Sequence, residues 1–454
     1  MSRWKPLVIA LLAAAAGMPG CTHDAGPSQP DVILVVVDTL RADRLGCYGH
    51  DGETSPNIDR FAEDALLFEN ALSHASDTLL SCAAMMSGYL PHETKIIGRD
   101  DLPREVPTLA ETLQANGYET AAVVSNWVLR EGQGFEQGFE TFDSEMRQTE
   151  LVRQFPERIA EFTTDRAIEI LNRPRDRPLF LWVHYQDPHG PYTPPESFVR
   201  EDGGETRGPV PFNPSVSGRG GIPMYQRLED HADPGYYTAR YDGEIRYADD
   251  EFGRLLEALE ATGRAGNAVT VFTADHGEGM GEHDYYFAHG EYVYQGQIHV
   301  PLIVRQGEHL RGRRYEFVQH VDLVPTILGL LGLPAPESLR GADLMAGAPA
   351  ERSIVSLTRT PLVNGESKIS LVRDGLKLVY TPKYRAVQLY DLVADPREER
   401  SLAGDPARRI VAQEMLAEID GIREADRLGF EPQDPPKAPT EEELEKLKSL
   451  GYVR

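Results

Sequence analysis

Short runs of apolar, mostly β-branched residues recur along the chain and alternate with segments of helical periodicity. The first run, Asp31–Val37, has no polar residue after Asp31, which is typical of a strand buried on both faces. Similar runs follow at Thr120–Val124, Leu179–His184, Ala268–Thr273 and Pro301–Val304. The helical patterns are Asn57–Leu67, Thr108–Ala115, Glu157–Leu171, Tyr241–Leu259 and Asp322–Leu331. This alternation predicts an α/β fold in which helices cover both faces of a largely parallel sheet.

The pattern changes from about Glu351 onward, where short alternating runs replace the long buried ones. These runs are Ile354–Leu357, Ser370–Val372, Lys377–Tyr380 and Gln388–Asp391, followed by a helical pattern at Arg408–Ile422. We therefore predict a main domain at 31–350 and a C-terminal α+β subdomain at 351–432, built from a small antiparallel sheet and a helix. Residues 433–454 are predicted to form a Pro-rich linker and a helical tail.

A segment rich in Gly, Pro and Asp, Pro194–Gly235, has no clear period. It is long for a passive connection. Two interpretations stay open, a lid or rim over a ligand site and a disordered insertion.

The N-terminus resembles a targeting segment. A basic start is followed by the apolar stretch Leu7–Gly17, which is too short to span a bilayer. Gly20-Cys21 then resembles a lipoprotein cleavage site, which predicts a signal peptide at 1–20, lipidation of Cys21 and a tether at 21–30. The alternative is a cleaved signal peptide with a free, secreted product. Both interpretations predict an exported protein, periplasmic or on the cell surface, with a lipid anchor as its membrane contact in the first case.

Charge and cysteine content restrict the possible partners. The formal net charge of −26 argues against a nucleic-acid partner, so that any site for an anionic ligand must be locally positive. After Cys21 the chain has two cysteines, Cys47 and Cys82, too few for a disulfide scaffold in a chain of 454 residues. We interpret both as small buried residues.

Acidic residues follow two of the predicted strands. Asp38-Thr39 comes directly after the first run, and Asp275-His276 comes after the fourth. Because ligands gather at the carboxyl ends of strands in such sheets, we expect these side chains to lie close together. Two carboxylates, an imidazole and the hydroxyls of Thr39 and Thr78 would suit a divalent cation. Taken singly, an Asp after a strand could equally cap the next helix.

Three segments together resemble the sulfatase branch of the alkaline phosphatase superfamily. They are Asp38-Thr39-Leu40-Arg41-Ala42-Asp43 with Ser55-Pro56-Asn57-Ile58-Asp59 downstream, the stretch Asp77–Pro91, and Ala274-Asp275-His276-Gly277-Glu278. The resemblance covers nearly the whole mature chain. It implies an alkaline-phosphatase-like fold and a metal-dependent hydrolase acting on sulfate esters of glycans or aryl groups.

The resemblance also implies one divalent metal ion as cofactor. Typical relatives have Asp-Asp at the first motif and Asp-Asn at the second, and they bind calcium. This chain has Thr39 and His276 at the second position of these two motifs. Fewer carboxylates and one imidazole favour manganese, zinc or iron, with calcium as the family alternative.

Thr78 lies at the position of the Cys or Ser that relatives mature to formylglycine within a Cys/Ser-x-Pro/Ala-x-Arg pattern. Threonine cannot be converted in this way, so the resemblance implies that a plain hydroxyl is the nucleophile. A helix N-terminus and a metal ion would both stabilise its alkoxide. In isolation, the same hydroxyl could be a helix N-cap.

A threonine ester cannot leave through an aldehyde as a formylglycine ester does. Water or another acceptor must therefore attack the sulfur or phosphorus directly, which is ordinary chemistry for phosphorus and harder for sulfur. The alternative function is consequently a phosphate or phosphonate ester hydrolase, or an envelope phosphotransferase, that uses the same Thr78. A third possibility is a non-catalytic binding lipoprotein on this scaffold. It is motivated by Thr78 and by Val128, which stands where relatives often have the His of a Lys-x-His pattern.

The resemblance assigns two histidines as helpers in catalysis. His189, in Asp187-Pro188-His189-Gly190-Pro191-Tyr192, maps to a substrate-contacting histidine of the family. His289 lies where relatives place a substrate-contacting Lys near a His, and it could bind the ester oxygen or protonate the leaving group. A solvent-facing loop histidine is the alternative for His289.

Substrate contacts are predicted for Asn126, His184 and Arg41. Asn126 replaces the lysine of a Lys-x-His pattern and could donate a hydrogen bond, although the cationic grip is lost. His184 ends a strand, so a structural role is its alternative. The predicted partner is a small-molecule or glycan sulfate or phosphate ester.

Overall fold

The computed structural model describes residues 29–97, 101–150, 156–199, 208–307, 310–349, 351–358 and 367–429. The predicted signal peptide, Cys21, and the linker and tail after residue 432 lie outside these ranges. Within them, no helix is both long enough and apolar enough to cross a bilayer.

The chain alternates strands and helices through most of its length. The strands are β1 Val32–Val37, β2 Leu66–Leu72, β3 Glu119–Val124, β4 Thr141–Asp143, β5 Gln148–Thr149, β6 Pro156–Glu157, β7 Leu179–Tyr185, β8 Phe212–Asn213, β9 Ile222–Pro223, β10 Val269–Ala274, β11 His299–Gln306, β12 Gly312–Gln319, β13 Ile354–Leu357, β14 Ile369–Arg373, β15 Leu376–Thr381 and β16 Ala386–Asp391. The α-helices are α1 Pro56–Glu63, α2 Thr78–Ser87, α3 Leu109–Ala115, α4 Ala160–Leu171, α5 Pro234–Ala261, α6 Gln295–Ile298, α7 Leu323–Leu330 and α8 Arg409–Gly429.

A large mixed sheet forms the centre of the fold, with strand order β12-β2-β11-β10-β1-β7-β3-β4. Strand β1 pairs in parallel with β10 and β7, and β3 pairs in parallel with β7 and β4. Strand β11 runs antiparallel to both β10 and β2. Every residue of β1 is buried, which explains why its sequence is continuously apolar. The predicted α/β class with a largely parallel sheet is confirmed.

The parallel strands bring the candidate residues to one edge of the sheet. Asp38 follows β1 directly, and its backbone N–H donates to the carbonyl of Tyr185 at the end of β7, at 3.0 Å. Asp275 follows β10, the other neighbour of β1. Helix α2 begins at Thr78, and its Ser81 hydroxyl donates to the carbonyl of Asp275 at 2.5 Å. The start of α2 is thereby held against the carboxyl end of β10.

One predicted helix is shorter in the structure, and the edge strand β12 was not predicted. The helix predicted at Asn57–Leu67 ends at Glu63, because Leu66 and the residues after it form the buried strand β2. Apolar residues continue across this boundary, so the sequence does not show the change from helical to strand periodicity. Strand β12, with its arginines on an exposed edge, lacks an apolar run and was not predicted.

A small antiparallel sheet follows, with strand order β13-β14-β15-β16, as the alternating runs predicted. One face packs against the large domain in a cluster that contains Leu72, Ile298 and Val379. The other face packs against α8 through Leu378 and Met415. The subdomain boundary at 350 stays a prediction.

Candidate functional site

Asp38, Asp275 and His276 converge at the carboxyl edge of the sheet. Their candidate ligand atoms all lie within 4.8 Å of one another, and all three side chains are buried. The Nε2 atom of His276 is 3.8 Å from Asp38 Oδ1 and 3.6 Å from Asp275 Oδ2. Atoms bound to one ion at about 2.1 Å lie roughly 3 to 4 Å apart, so these spacings fit a shared cation.

The electrostatics of the two carboxylates also favour a cation. Burial and the charge of Asp275 raise the pKa of Asp38 well above its usual value. Asp38 Oδ1, Asp275 Oδ2 and Thr39 Oγ1 are buried without a hydrogen-bond partner among the described residues. Unpaired buried oxygens of this kind are costly. A divalent cation would satisfy them and remove the repulsion between the carboxylates, so the residues present fit a metal ion.

His276 has its metal-facing nitrogen fixed by its backbone. Its Nδ1 lies 2.9 Å from the carbonyl oxygen of Gly277, so Nδ1–H donates there and the lone pair of Nε2 faces Asp38 and Asp275. Burial lowers the pKa of His276, which keeps the ring neutral. A Cβ at Gly277 would lie 2.2 Å from the Gly296 carbonyl oxygen, so only glycine fits after His276.

The turn after β1 is held in an unusual conformation. Thr39 has φ = 56°, a region that non-glycine residues seldom adopt. Its N–H donates to Asp275 Oδ1 at 3.2 Å, and its carbonyl accepts from the Tyr241 hydroxyl at 2.7 Å. These contacts stabilise the turn that carries Asp38, and backbone strain of this kind is commonly found at functional sites.

Thr78 is the first residue of α2 and is fully buried. Its hydroxyl lies 3.2 Å from Nε2 of His276, within hydrogen-bond reach. The helix N-cap is Asp77, whose carboxylate accepts from Leu80 N at 3.2 Å. Thr78 is therefore not the N-cap, and its hydroxyl faces the cluster of Asp38 and His276.

Three histidine rings lie in sequence across the site. The rings of His276 and His289 are 4.6 Å apart, and those of His289 and His189 are 5.1 Å apart, measured between centroids. The Nδ1 atom of His189 is 2.8 Å from the Gly190 carbonyl oxygen. His289 thus lies beside His276, and His189 lies on the other side of His289.

Glu278 and Tyr192 belong to this site, although the sequence assigned them no role. Glu278 Oε1 lies 3.3 Å from Nδ1 of His289, and its Oε2 accepts from the Tyr192 hydroxyl at 3.1 Å. Burial lowers the pKa of His289, but the Glu278 carboxylate outweighs this and raises it above the ordinary value. Glu278 lies in the same sequence motif as His276, and Tyr192 lies in the same motif as His189. Their positions in these motifs could have indicated a role in the site.

The guanidinium of Arg41 is engaged by groups of the protein itself. Its guanidinium donates to Asp43 through Nε and Nη2 and to the Glu278 carbonyl through Nη1, and Glu282 lies 2.9 Å from Nη2. Its donors are engaged and two carboxylates balance its charge. Arg41 therefore stabilises the loop around Glu278. The predicted contact of Arg41 with substrate stays a prediction.

Asn126 and His184 also contact the carboxylates rather than an open space. The Asn126 amide donates to Asp38 Oδ2 at 2.5 Å and accepts from Val128 N at 2.9 Å. Nε2 of His184 lies 3.8 Å from Asp275 Oδ2. Asn126 therefore orients the Asp38 carboxylate, and its predicted hydrogen bond to substrate stays a prediction.

The described part of the Gly- and Pro-rich segment borders this site. The Tyr225 hydroxyl donates to the Phe287 carbonyl at 2.9 Å, and the Gln226 amide donates to the same oxygen at 3.1 Å. Gly218 accepts from Tyr286 N at 2.8 Å. The segment thus packs on the loop that leads to His289, which favours the rim interpretation.

Comparisons with known proteins identify a family and a fold for this chain. The family model described as Sulfatase matches residues 30–333. The chain is 25% identical over 439 aligned residues to a Delta 4,5-hexuronate-2-O-sulfatase of Bacteroides thetaiotaomicron, covering 86% of this chain and 88% of that protein. It is 26% identical over 420 residues to the iduronate 2-sulfatase of Homo sapiens, covering 73% and 74%. The solved phosphonate monoester hydrolase of Agrobacterium radiobacter has the same fold, with a TM-score of 0.70 at 20% identity, covering 87% of this chain and 96% of that one.

Proposed function

Because the chain belongs to the sulfatase family, we propose that it is a metal-dependent hydrolase that cleaves sulfate esters of glycans or aryl groups with Thr78 as nucleophile. One observation carries this proposal. The Thr78 hydroxyl stands at the first residue of α2, 3.2 Å from His276 Nε2 and beside two buried carboxylates. The sulfate assignment follows the relatives, which are named as sulfatases.

Asp38, Asp275 and His276 would hold the metal ion, with the hydroxyls of Thr39 and Thr78 as further oxygen donors. When bound, a divalent ion supplies electrophilic stabilisation of anionic oxygens at neutral pH. Calcium is the family's ion, and the imidazole of His276 favours manganese or zinc. Asn126 and the N–H of Thr39 orient the two carboxylates.

Thr78 attacks the sulfur of the ester, so that a bond from Oγ1 to sulfur forms, the bond to the leaving oxygen breaks and the hydroxyl proton of Thr78 passes to solvent. The proton of the leaving alcohol comes from His289, whose Nδ1 is held by Glu278 and whose Nε2 is directed away from it. His189 lies next to His289 and contacts the ester oxygens. Water then attacks the sulfur as the bond from sulfur to Thr78 Oγ1 breaks. One proton of the water goes to His289 and the other to the departing Thr78 oxygen, and the product leaves as sulfate.

Phosphate or phosphonate esters are the second candidate substrates, and a phosphotransferase would use the same first step. The plain hydroxyl of Thr78 favours them, because direct attack on a threonine ester is easier at phosphorus than at sulfur. The donor set of two carboxylates and His276 favours them as well, since it differs from a typical calcium site.

The deciding experiment compares nitrophenyl sulfate, phosphate monoester, phosphodiester and phosphonate as substrates of the metal-loaded protein. Thr78→Ala should lose essentially all turnover, whereas Thr78→Ser should keep part of it. Thr94→Ala is the matched control, since Thr94 is buried but donates to the Pro91 carbonyl instead. Full turnover in Thr78→Ala would exclude the threonine mechanism, and the preferred ester decides between the two substrate classes.

The non-catalytic alternative is opposed by the same set of groups. A binding scaffold has no need for a hydroxyl directed at His276 and a histidine held by Glu278. If Asp38→Ala left ligand binding and the biological effect intact, the binding interpretation would gain support.

Export and lipidation at Cys21 are part of the proposal and concern residues outside the described ranges. Cys21→Ser should move the protein from the membrane fraction to the soluble fraction and abolish labelling by a radioactive fatty acid. Unchanged labelling would exclude Cys21 as the modified residue.

A further inference from the structure

A second cluster of metal-ligating side chains shares Asp275 with the site described above. The Cys82 thiol, a ring nitrogen of His184 and a carboxylate oxygen of Asp275 lie within 4.8 Å of one another. All three side chains have 0% exposure. Nothing in the proposed hydrolysis uses Cys82 or His184.

His184 is the clearest sign that a ligand belongs here. Both of its ring nitrogens are buried without a hydrogen-bond partner among the described residues. A buried imidazole normally has at least one partner, because an unsatisfied donor or acceptor costs about 1 to 3 kcal/mol. The nearest carboxylate oxygen, Asp275 Oδ2, is 3.8 Å from Nε2, too far for a hydrogen bond but suitable for two ligands of one ion.

Asp275 has one oxygen available for two neighbours. Its Oδ1 accepts from the N–H groups of Thr39 and His276. Its Oδ2 has no hydrogen-bond partner in the described ranges and lies 3.6 Å from His276 Nε2 and 3.8 Å from His184 Nε2. The carboxylate is thus placed between two imidazoles, and it could bridge two ions.

Helix α2 supplies one potential ligand to each of the two clusters, Thr78 to the first and Cys82 to the second. Cys82 follows Thr78 by four residues, so that both side chains project from the same face of the helix, one turn apart. Cys82 is a free, buried thiol, as is Cys47. In the described part of the chain, Cys47 does not belong to any such group of potential ligands.

We propose that Cys82, His184 and Asp275 hold a second divalent cation of the thiophilic class, such as Zn²⁺, beside the ion of Asp38, Asp275 and His276. A thiolate and an imidazole select zinc-like ions and disfavour calcium and magnesium. Binding releases the thiol proton of Cys82 to solvent. The second ion would balance the thiolate charge and satisfy both His184 and Asp275 Oδ2.

The test is metal binding by the full chain, read without any substrate. The protein is stripped with a chelator and reloaded with Co²⁺, which reports a thiolate ligand through a charge-transfer absorption in the near ultraviolet. We expect this absorption in the wild type and in Cys47→Ser, the matched control, and its loss in Cys82→Ser. After loading with Zn²⁺, the wild type should bind two ions per chain and Cys82→Ser one.

The absence of a thiolate absorption in the wild type, or its persistence in Cys82→Ser, would overturn the proposal. If Cys82→Ser unfolds, His184→Gln replaces it, and an unchanged cobalt spectrum in that variant has the same meaning. Asp38→Ala should lose the first ion and keep the thiolate absorption. The second site therefore stands or falls independently of turnover and of the proposed hydrolysis.

Discussion

At the residue scale, the site is a set of buried charges that depend on one another for orientation. Asp38 and Asp275 are fully buried, and each is held by a neutral donor, Asn126 for the first and the N–H of Thr39 for the second. Such donors set the direction of the carboxylate lone pairs and thereby the affinity for a metal ion. Their removal should weaken metal binding more than it disturbs folding.

Asn126→Ala should lower the affinity for the metal ion by roughly 10- to 100-fold, as is usual when a ligand loses its supporting partner. The reason is that Asp38 loses the amide that donates to Oδ2 at 2.5 Å. Competition with a fluorescent chelator measures this change. Asn267→Ala, at an exposed position, is the control. Unchanged metal affinity in Asn126→Ala would mean that the amide serves only the turn at Val128.

Glu278→Gln should slow the cleavage of esters with poor leaving groups by roughly 10- to 100-fold and affect nitrophenyl esters much less. The reason is that Glu278 holds Nδ1 of His289, the proposed proton donor to the leaving oxygen. The measurement uses a series of aryl esters of increasing leaving-group pKa and gives the slope of log kcat/KM against that pKa. Tyr192→Phe removes the other hydrogen bond of Glu278 and should leave the slope unchanged. An equal loss for all esters would indicate a structural role for Glu278.

The residues that could be predicted from the sequence are those in compact motifs after a strand or at a helix start. Asp38, Thr78, Asp275 and His276 meet as predicted, because parallel strands place their carboxyl ends together. The ion-pair partners of Arg41 could not all be predicted in this way. Its partner Glu282 is distant in sequence, and only the fold brings this carboxylate to the guanidinium.

At the scale of secondary-structure elements, strands with two buried faces were predictable and strands at the edge were not. Strand β1 has a uniform apolar sequence, whereas β12, at the end of the sheet, has two consecutive arginines and a glutamate among its eight residues. Strand β2 was merged with α1, because apolar residues continue through both. Edge strands bury only part of their surface, so their sequences carry a weaker pattern.

The contact between α5 and the loop after β7 should depend on pH. Asp187 and Glu244 are hydrogen-bonded to each other. Burial raises the pKa of Asp187 to about 6, and burial and Asp187 raise the pKa of Glu244 well above its usual value. Each group binds its proton more tightly when folded than when unfolded. The stability that this pair contributes is complete below about pH 4 and is lost as the pH rises through about 6.

Glu244→Gln should therefore stabilise the protein at pH 8 relative to the wild type, because one ionising group is removed while the amide can still donate to Asp187. The difference in Tm between variant and wild type should grow from pH 4 to pH 8. Glu257→Gln, at an exposed position on α5, should show no such trend. A difference in Tm that does not change with pH would contradict the assignment of a shared proton.

At the scale of the whole molecule, the C-terminal subdomain contacts the loop between His289 and α6, which borders the site. Lys377 of β15 and Glu398 form an ion pair at 2.8 Å, with exposures of 0% and 1%. The second oxygen of Glu398 accepts from the N–H of Gln295 at 2.5 Å, at the start of α6. The same surface contains the apolar contacts of Leu72 and Ile298 with the small sheet. The two units therefore share one buried interface, with a charged pair inside it.

Lys377→Met should destabilise the protein by about 3 to 5 kcal/mol, because it leaves the Glu398 carboxylate buried without its counterion. The double variant Lys377→Met/Glu398→Gln should recover much of this loss, since the glutamine carbonyl can still accept from Gln295 N and no charge remains. Urea unfolding of the wild type, the two single variants Lys377→Met and Glu398→Gln, and the double variant measures the coupling free energy between Lys377 and Glu398. Lys383→Met, at an exposed position, should change the unfolding free energy by less than about 0.5 kcal/mol. If the double variant were as unstable as Lys377→Met, the cost would lie in lost packing of the lysine chain and not in the unpaired charge of Glu398.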